Sequence, residues 1–91
     1  MAHTIRKKAK LQARVRRIRG QIEAVDRALE DEKGCSDVLQ QIASVRGAIN
    51  GLMAELVEDH ILMHVADEGL GQKQRNEGAA ELVDVVRAYL K

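Results

Sequence analysis

Apolar residues recur along the first third of the chain at alternating steps of four and three residues, which is the spacing of a heptad seam. This first seam consists of Leu11, Val15, Ile18, Ile22, Val25 and Leu29. The pattern predicts one helix that begins within the first few residues and ends near Asp31. The segment from Glu30 to Gly34 has a helix breaker and no periodicity, so we expect the first turn there.

A second seam follows with the same spacing and predicts a long second helix from about Ser36 to about Ala66. Its positions are Val38, Ile42, Val45, Ile49, Leu52 and Leu56. A parallel stripe continues beside it and consists of Met53, Val57, His60 and His64. Ser36 is a reasonable N-cap for this helix. Gly47 and Gly51 lower its helix propensity, which a close approach of another helix would explain.

The last third of the chain predicts a loop and a short third helix. Gly69, Gly71 and Gly78 are separated by polar residues and are typical of a loop. The short helix is marked by Leu82, Val85, Val86 and Tyr89. No strand pattern occurs, so the fold class is all-α with three helices. The basic segment opens a long helix and lacks the short helix pair of a helix-turn-helix motif.

Composition indicates a small helical domain that completes its core by self-association. The 91 residues contain no proline and one aromatic residue, Tyr89. They allow one domain, over residues 1–91, whose own core would be marginal. Such a chain is expected to pair with copies of itself. No apolar run could span a bilayer, the N-terminus is charged, and the single cysteine cannot form an internal disulfide, so we expect a cytoplasmic protein without a membrane partner.

The formal net charge of +1 conceals a strong asymmetry along the chain. Basic residues crowd the first twenty positions, and no acidic residue precedes Glu23. Clustering of a single sign on an otherwise acidic chain favours a polyanionic partner, and double-stranded DNA is the default candidate. The candidate DNA-binding residues are Lys8, Lys10, Arg14, Arg16, Arg17 and Arg19.

The candidate metal ligands are three histidines and one thiol. His60 and His64 are four residues apart on one helix face, so their imidazoles can bind the same ion. Cys35 lies about seven turns away, roughly 40 Å by the helix rise, and can reach them only from an antiparallel second copy. His3 and the Ala2 amine, exposed if the initiator Met is removed, could complete the set. This donor set favours Ni(II) or Co(II), with Zn(II) as a further candidate.

Each of these residues also has an ordinary structural interpretation. Paired histidines on a helix surface often bind nothing, a lone cysteine is often a small buried apolar residue, and a histidine near a terminus is commonly disordered. Two other functional classes fit the sequence less well. A metal-dependent enzyme is disfavoured because the chain lacks a pocket-sized core and aromatic lining. A module that only oligomerises leaves the basic cluster unexplained.

Five sequence segments resemble the CsoR/RcnR/FrmR family of bacterial transcriptional repressors, in the same order and spacing. These are 14–21 (RVRRIRGQ), 34–35 (GC), 39–43 (LQQIA), 46–53 (RGAINGLM) and 87–91 (RAYLK). The resemblance implies an all-α fold without a helix-turn-helix, antiparallel four-helix dimers and tetramers. It further implies a protein that binds operator DNA when free of effector and releases it when the effector binds.

The resemblance also bears on which effector is bound. Copper(I) sensors carry a second cysteine where this chain has His64, and persulfide sensors carry one where it has His60. Formaldehyde sensors have a proline where this chain has Ala2. The histidine and cysteine positions of the nickel and cobalt sensors coincide with His3, Cys35, His60 and His64. Acidic residues that occur in that branch are replaced here by Gly34 and Met63. We therefore expect a repressor that Ni(II) or Co(II) releases from a metal-efflux gene, the alternative being a formaldehyde-responsive repressor that uses Cys35.

Overall fold

The computed structural model describes residues 7–89, which form three α-helices joined by short connections. Helix α1 spans Lys8–Glu30, α2 spans Cys35–His64 and α3 spans Gln72–Tyr89. No strand occurs within residues 7–89. The predicted all-α fold with three helices is therefore confirmed, with α1 packed on α2 and α2 packed on α3.

The first turn lies where the sequence predicted it, but the glycine is not the residue that reverses the chain. Glu32 takes the left-handed conformation, with φ of 54°. The N–H of Glu32 donates to the Leu29 carbonyl at 3.1 Å, and the N–H of Lys33 donates to the Ala28 carbonyl at 2.9 Å. These bonds satisfy carbonyl groups at the end of α1 that would otherwise have no partner. Gly34 has a negative φ of −57° and serves as the N-cap of α2.

Helix α2 is a single element of 30 residues, and both of its ends differ slightly from the prediction. It begins at Cys35 after Gly34, so Ser36 lies inside the first turn and is not the N-cap. It ends at His64, two residues before Ala66, because the N–H of Ala66 donates back to the Ile61 carbonyl at 2.8 Å and closes the last turn.

Helix α3 is longer than the sequence predicted, and the assignment of Gly78 to a loop is wrong. The helix begins at Gln72, six residues before that glycine. The Gln74 side chain accepts a hydrogen bond from the Gly71 N–H at 2.9 Å, as in a capping box. Gln72 Nε2 also donates to Asn76 Oδ1 at 2.8 Å along the helix surface. Local polar contacts therefore form the first turns of α3 without an apolar pattern.

A single chain is one helix layer thick and buries little apolar surface. Its extents are 56 × 30 × 13 Å, and its radius of gyration is 17.3 Å. A compact domain of this length would have a radius of gyration of roughly 12 Å. Leu11 and Ala28 are the buried apolar residues of the described part of the chain. The expectation of a marginal core is confirmed for the single chain.

Many of the seam residues remain exposed on the surface of this layer. They are Val15, Ile22, Leu29, Ile42 and Ile49. The explanation offered for Gly47 and Gly51 is wrong within one chain, because a Cβ at either position would meet no atom within 4 Å. None of the described helices is long and apolar enough to cross a membrane.

Candidate metal centre and nucleic-acid interface

The two histidines of α2 lie together at its C-terminal end, beside α3. Their ring centroids are 4.9 Å apart, as expected for residues one turn apart on one face. His60 is buried, and its Nε2 lies 2.8 Å from the Gly78 carbonyl oxygen of α3. A carbonyl oxygen only accepts, so Nε2 carries the proton in this bond. A metal ion bound by a neutral His60 would therefore be bound through Nδ1.

Gly78 allows α3 to approach the histidines closely. A Cβ at this position would lie 2.1 Å from the carbonyl oxygen of His64 and 3.0 Å from the His64 Cβ. Only a residue without a side chain permits this contact between the two helices. This role was not visible in the sequence, because a glycine among polar residues is more typical of a loop.

An apolar cavity of about 160 Å³ lies between α2 and α3 next to His60. It is lined by Met53, Leu56, Val57, His60, Glu81, Leu82 and Val85. The first three of these residues and His60 come from α2, and the others come from α3. Since most of the lining is aliphatic, the cavity gives His60 an apolar surrounding on this side.

Cys35 is at the opposite end of α2, where its side chain is exposed. The helix is continuous between Cys35 and His60, so one chain keeps the thiol and the imidazole about 40 Å apart. Residues 7–89 of a single chain contain no group of three or more histidine, cysteine or acidic residues placed to hold a metal ion. His3 and Ala2 lie outside the described residues. The four-ligand site therefore stays a prediction that requires a second copy.

An ion pair connects the start of α1 to the histidine end of α2. Lys7 Nζ donates to Asp59 Oδ1 at 2.9 Å. Asp59 is buried and directly precedes His60 in the sequence. The hydrogen bond to Asp59 raises the pKa of Lys7 above its ordinary value. Asp59 was not among the predicted site residues, although its position directly before His60 is visible in the sequence.

A second set of ion pairs connects the basic segment to α2 one turn earlier. Lys10 Nζ lies 3.1 Å from Glu55 Oε1, and the Arg14 guanidinium binds Glu55 Oε2. The hydrogen bond from Lys10, followed by the charges of Lys10 and Arg14, lowers the pKa of Glu55 below its ordinary value. The carboxylate is therefore ionised at neutral pH. Two of the candidate DNA-binding residues are thus paired within the chain, which the sequence pattern did not predict.

The other basic residues of the predicted set form no ion pair with a described residue and are exposed. They are Lys8, Arg16, Arg17 and Arg19. A groove runs beside Arg14 and Arg17 between α1 and α2, and small residues of α2 line it, including Ser44, Gly47 and Gly51. Exposed cations beside such a groove are chemically suited to binding phosphate oxygens.

This architecture, a three-helix layer with a basic first helix, matches a known class of regulators. The family model for the metal-sensitive transcriptional repressors matches residues 7–88. The chain belongs to this family, as its sequence motifs predicted. The members are transcriptional repressors, which are not enzymes.

Two curated relatives align over their full length and over all of this chain. An uncharacterized protein in the bioA 5′ region of Serratia marcescens is 53% identical over 91 residues. The transcriptional repressor RcnR of Salmonella arizonae is 42% identical over 91 residues.

A solved structure also has the same fold. It is a variant of the formaldehyde-responsive regulator FrmR of Salmonella enterica serovar Typhimurium in which one glutamate is replaced by histidine. The TM-score is 0.82 at 49% sequence identity, and the match covers 92% of this chain and 94% of that chain. The relatives thus include both an RcnR repressor and a formaldehyde-responsive regulator.

Proposed function

We propose that the chain is a cytoplasmic repressor that binds operator DNA when free of metal and leaves it when Ni(II) or Co(II) binds. The regulated gene would be a metal-efflux gene. The observation that carries the proposal is the His60–His64 pair at the end of α2, held in place by the bond from His60 to Gly78. Two imidazoles with one thiolate and a terminal nitrogen form a donor set suited to these ions, with Zn(II) as a further candidate.

The metal site is proposed to form between two copies of the chain. Residues 1–91 form one repressor domain in this proposal, and two domains pair with their α2 helices antiparallel. Cys35 of one copy then lies near His60 and His64 of the other. The exposed apolar seam and the thickness of 13 Å support this pairing, because a second layer would cover that surface. Two such dimers would form the tetramer that the family resemblance implies.

The ligands His3 and the Ala2 amine would link the metal to the basic helix. They precede α1 in the sequence, and the N-cap residue of that helix, Lys7, is paired with Asp59. Binding of His3 to a metal that Cys35, His60 and His64 already hold would therefore move the segment that leads into Lys8, Lys10 and Arg14. Metal must then bind the DNA-free form more tightly, and DNA must weaken metal binding by the same factor.

A second candidate function is a formaldehyde-responsive repressor that uses Cys35. The exposure of this thiol favours it, since an aldehyde must reach the sulfur. The structural similarity to a variant of a formaldehyde-responsive regulator also supports it. Ala2 disfavours it, because the resemblance implies a proline at that position in the formaldehyde sensors.

Titration of operator binding with separate effectors distinguishes the two functions. Fluorescence anisotropy would follow the chain on DNA from upstream of its own gene while Ni(II), Co(II), Zn(II), Cu(I) or formaldehyde is added. We expect Ni(II) or Co(II) to release the DNA and formaldehyde to leave it bound. Cys35→Ala should abolish the response under either function, whereas His64→Ala should abolish only a response to metal. If formaldehyde releases the DNA and the metal ions do not, the proposed function is wrong and the second candidate function is supported.

A further inference from the structure

Glu55 binds two of the candidate DNA-binding side chains at once. Each oxygen of its carboxylate binds one cation. Glu55 Oε1 binds Lys10, and Glu55 Oε2 binds Arg14. The Arg14 guanidinium also donates to the Gly51 carbonyl at 3.4 Å. The Glu55 side chain is 16% exposed, whereas Lys10 is 66% exposed and Arg14 is 42% exposed. The carboxylate therefore lies largely covered beneath two cations that remain accessible to solvent.

In this cluster, the Glu55 carboxylate binds Lys10 and Arg14 in the way that a DNA phosphate would bind them. An ionised carboxylate accepts charge-assisted hydrogen bonds from lysine and arginine just as a phosphate oxygen does. The Glu55 carboxylate is ionised at neutral pH, so its negative charge offsets one of the two positive charges. A DNA phosphate that approaches Lys10 or Arg14 must share these N–H groups with Glu55 or displace it.

We propose that Glu55 competes with DNA phosphates for Lys10 and Arg14 and thereby limits the affinity of the chain for DNA. This inference rests on the proposed function, in which both cations contact operator DNA. The basic residues without an ion pair to a described residue, such as Arg16 and Arg17, can bind phosphate without losing an internal partner. The basic segment thus contains two cations that are paired with Glu55, and others that have no ion pair with a described residue.

The opposite role is that Glu55 orients Lys10 and Arg14 for DNA, and the two roles predict changes of opposite sign. If Glu55 orients the cations, loss of its carboxylate weakens DNA binding. If it competes with phosphate, the same loss strengthens DNA binding and steepens its salt dependence, because more cations then release counterions from the DNA.

The variants Glu55→Gln and Glu55→Met both remove the carboxylate and keep a side chain of similar size. The test can be made with either variant, provided that it folds. Glu58→Gln is the matched control, since it removes the same charge from the same helix and Glu58 forms no ion pair with a residue of 7–89. Circular dichroism would first establish the helix content. DNA affinity would then be measured by anisotropy without metal at several salt concentrations.

We expect either Glu55 variant to bind DNA at least about threefold more tightly at low salt, with a steeper salt slope, and the control to change less. Arg14→Ala should also weaken DNA binding more in the Glu55→Gln background than in the parent, because Arg14 is no longer shared. Unchanged or weaker binding by the folded Glu55 variants would overturn the inference, and so would an equal gain in Glu58→Gln. Failure of the parent chain itself to bind DNA would instead refute the proposed function.

Discussion

Gly78 is the residue whose substitution most directly tests the geometry around the histidines. Its hydrogen atom takes the space in which a Cβ would overlap the His64 carbonyl oxygen, and its own carbonyl accepts the bond from His60. The position of α3 against the end of α2 therefore depends on the absence of a side chain here. A side chain at this position would push the two helices apart and thereby lengthen the hydrogen bond from His60 to the carbonyl of residue 78.

Gly78→Ala is expected to destabilise the fold by about 1–3 kcal/mol through overpacking, despite the better helix propensity of alanine. The matched control is Gly20→Ala in α1, where a Cβ would meet no atom within 4 Å. The control should raise the stability by about 0.5–1 kcal/mol. Denaturant unfolding followed by circular dichroism measures both changes. A gain in Gly78→Ala equal to that of the control would contradict the close contact with His64.

Among single residues, those that the sequence identified are the ones with a periodic or chemical signal. His60 and His64 share a face, as their spacing required, and the structure brings their rings together. Glu55 and Asp59 were missed because each is one of many acidic residues. Their partners lie 41–52 residues away in sequence, and helical periodicity gives no information on contacts at that distance.

At the scale of the elements, the apolar patterns predicted α1 and α2 well, because the two seams and the stripe that ends at His64 together cover most of both helices. The start of α3 was missed because residues 72–77 are polar and are stabilised by local side-chain bonds, including that from Gly71 to Gln74. The packing of α1 on α2 was not predictable in detail. It depends on ion pairs between the two helices as well as on the apolar seam.

The ion pairs between α1 and α2 should make stability depend on pH in the acid range. Because the folded-state pKa of Glu55 is lowered below 4.5, its contribution is fully present above about pH 4.5 and is lost as the pH falls through the lower folded-state pKa. The parent should therefore melt at a higher temperature than Glu55→Gln at pH 7. This difference should shrink below pH 4.5. Thermal melts of both proteins across this range would measure it, and a constant difference would contradict the ion pairs.

At the scale of the whole molecule, the single chain leaves much of its apolar surface exposed. Eleven large apolar residues are exposed on the described chain, and just two apolar residues are buried. In the proposed pairing, a second copy would cover this surface of a layer 13 Å thick. The sequence could indicate self-association, but it gave neither the contact surface nor the number of copies.

Ile42→Glu tests the proposed pairing, because Ile42 lies on the seam of α2 and is 47% exposed in the single chain. A charge there should disrupt the assembly, since a carboxylate buried without a partner is strongly unfavourable. Sedimentation is expected to show a smaller species, and circular dichroism a lower helix content. The control Gln40→Glu adds the same charge at an exposed position of α2 and should assemble as the parent does. If the Ile42→Glu protein keeps the mass of the parent assembly, Ile42 does not lie in the interface.

The central claim is that Cys35 of one copy and His60 and His64 of another bind one metal ion, and mixing two inactive variants tests it most directly. Cys35→Ala and His60→Ala chains would be unfolded together, refolded at equal amounts and titrated with Ni(II). In a symmetric antiparallel dimer, each mixed pair contains one intact site, so random pairing should restore about a quarter of the sites. Neither variant alone should bind at these sites. Binding by the mixture that is no greater than the average of the two variants would contradict the claim.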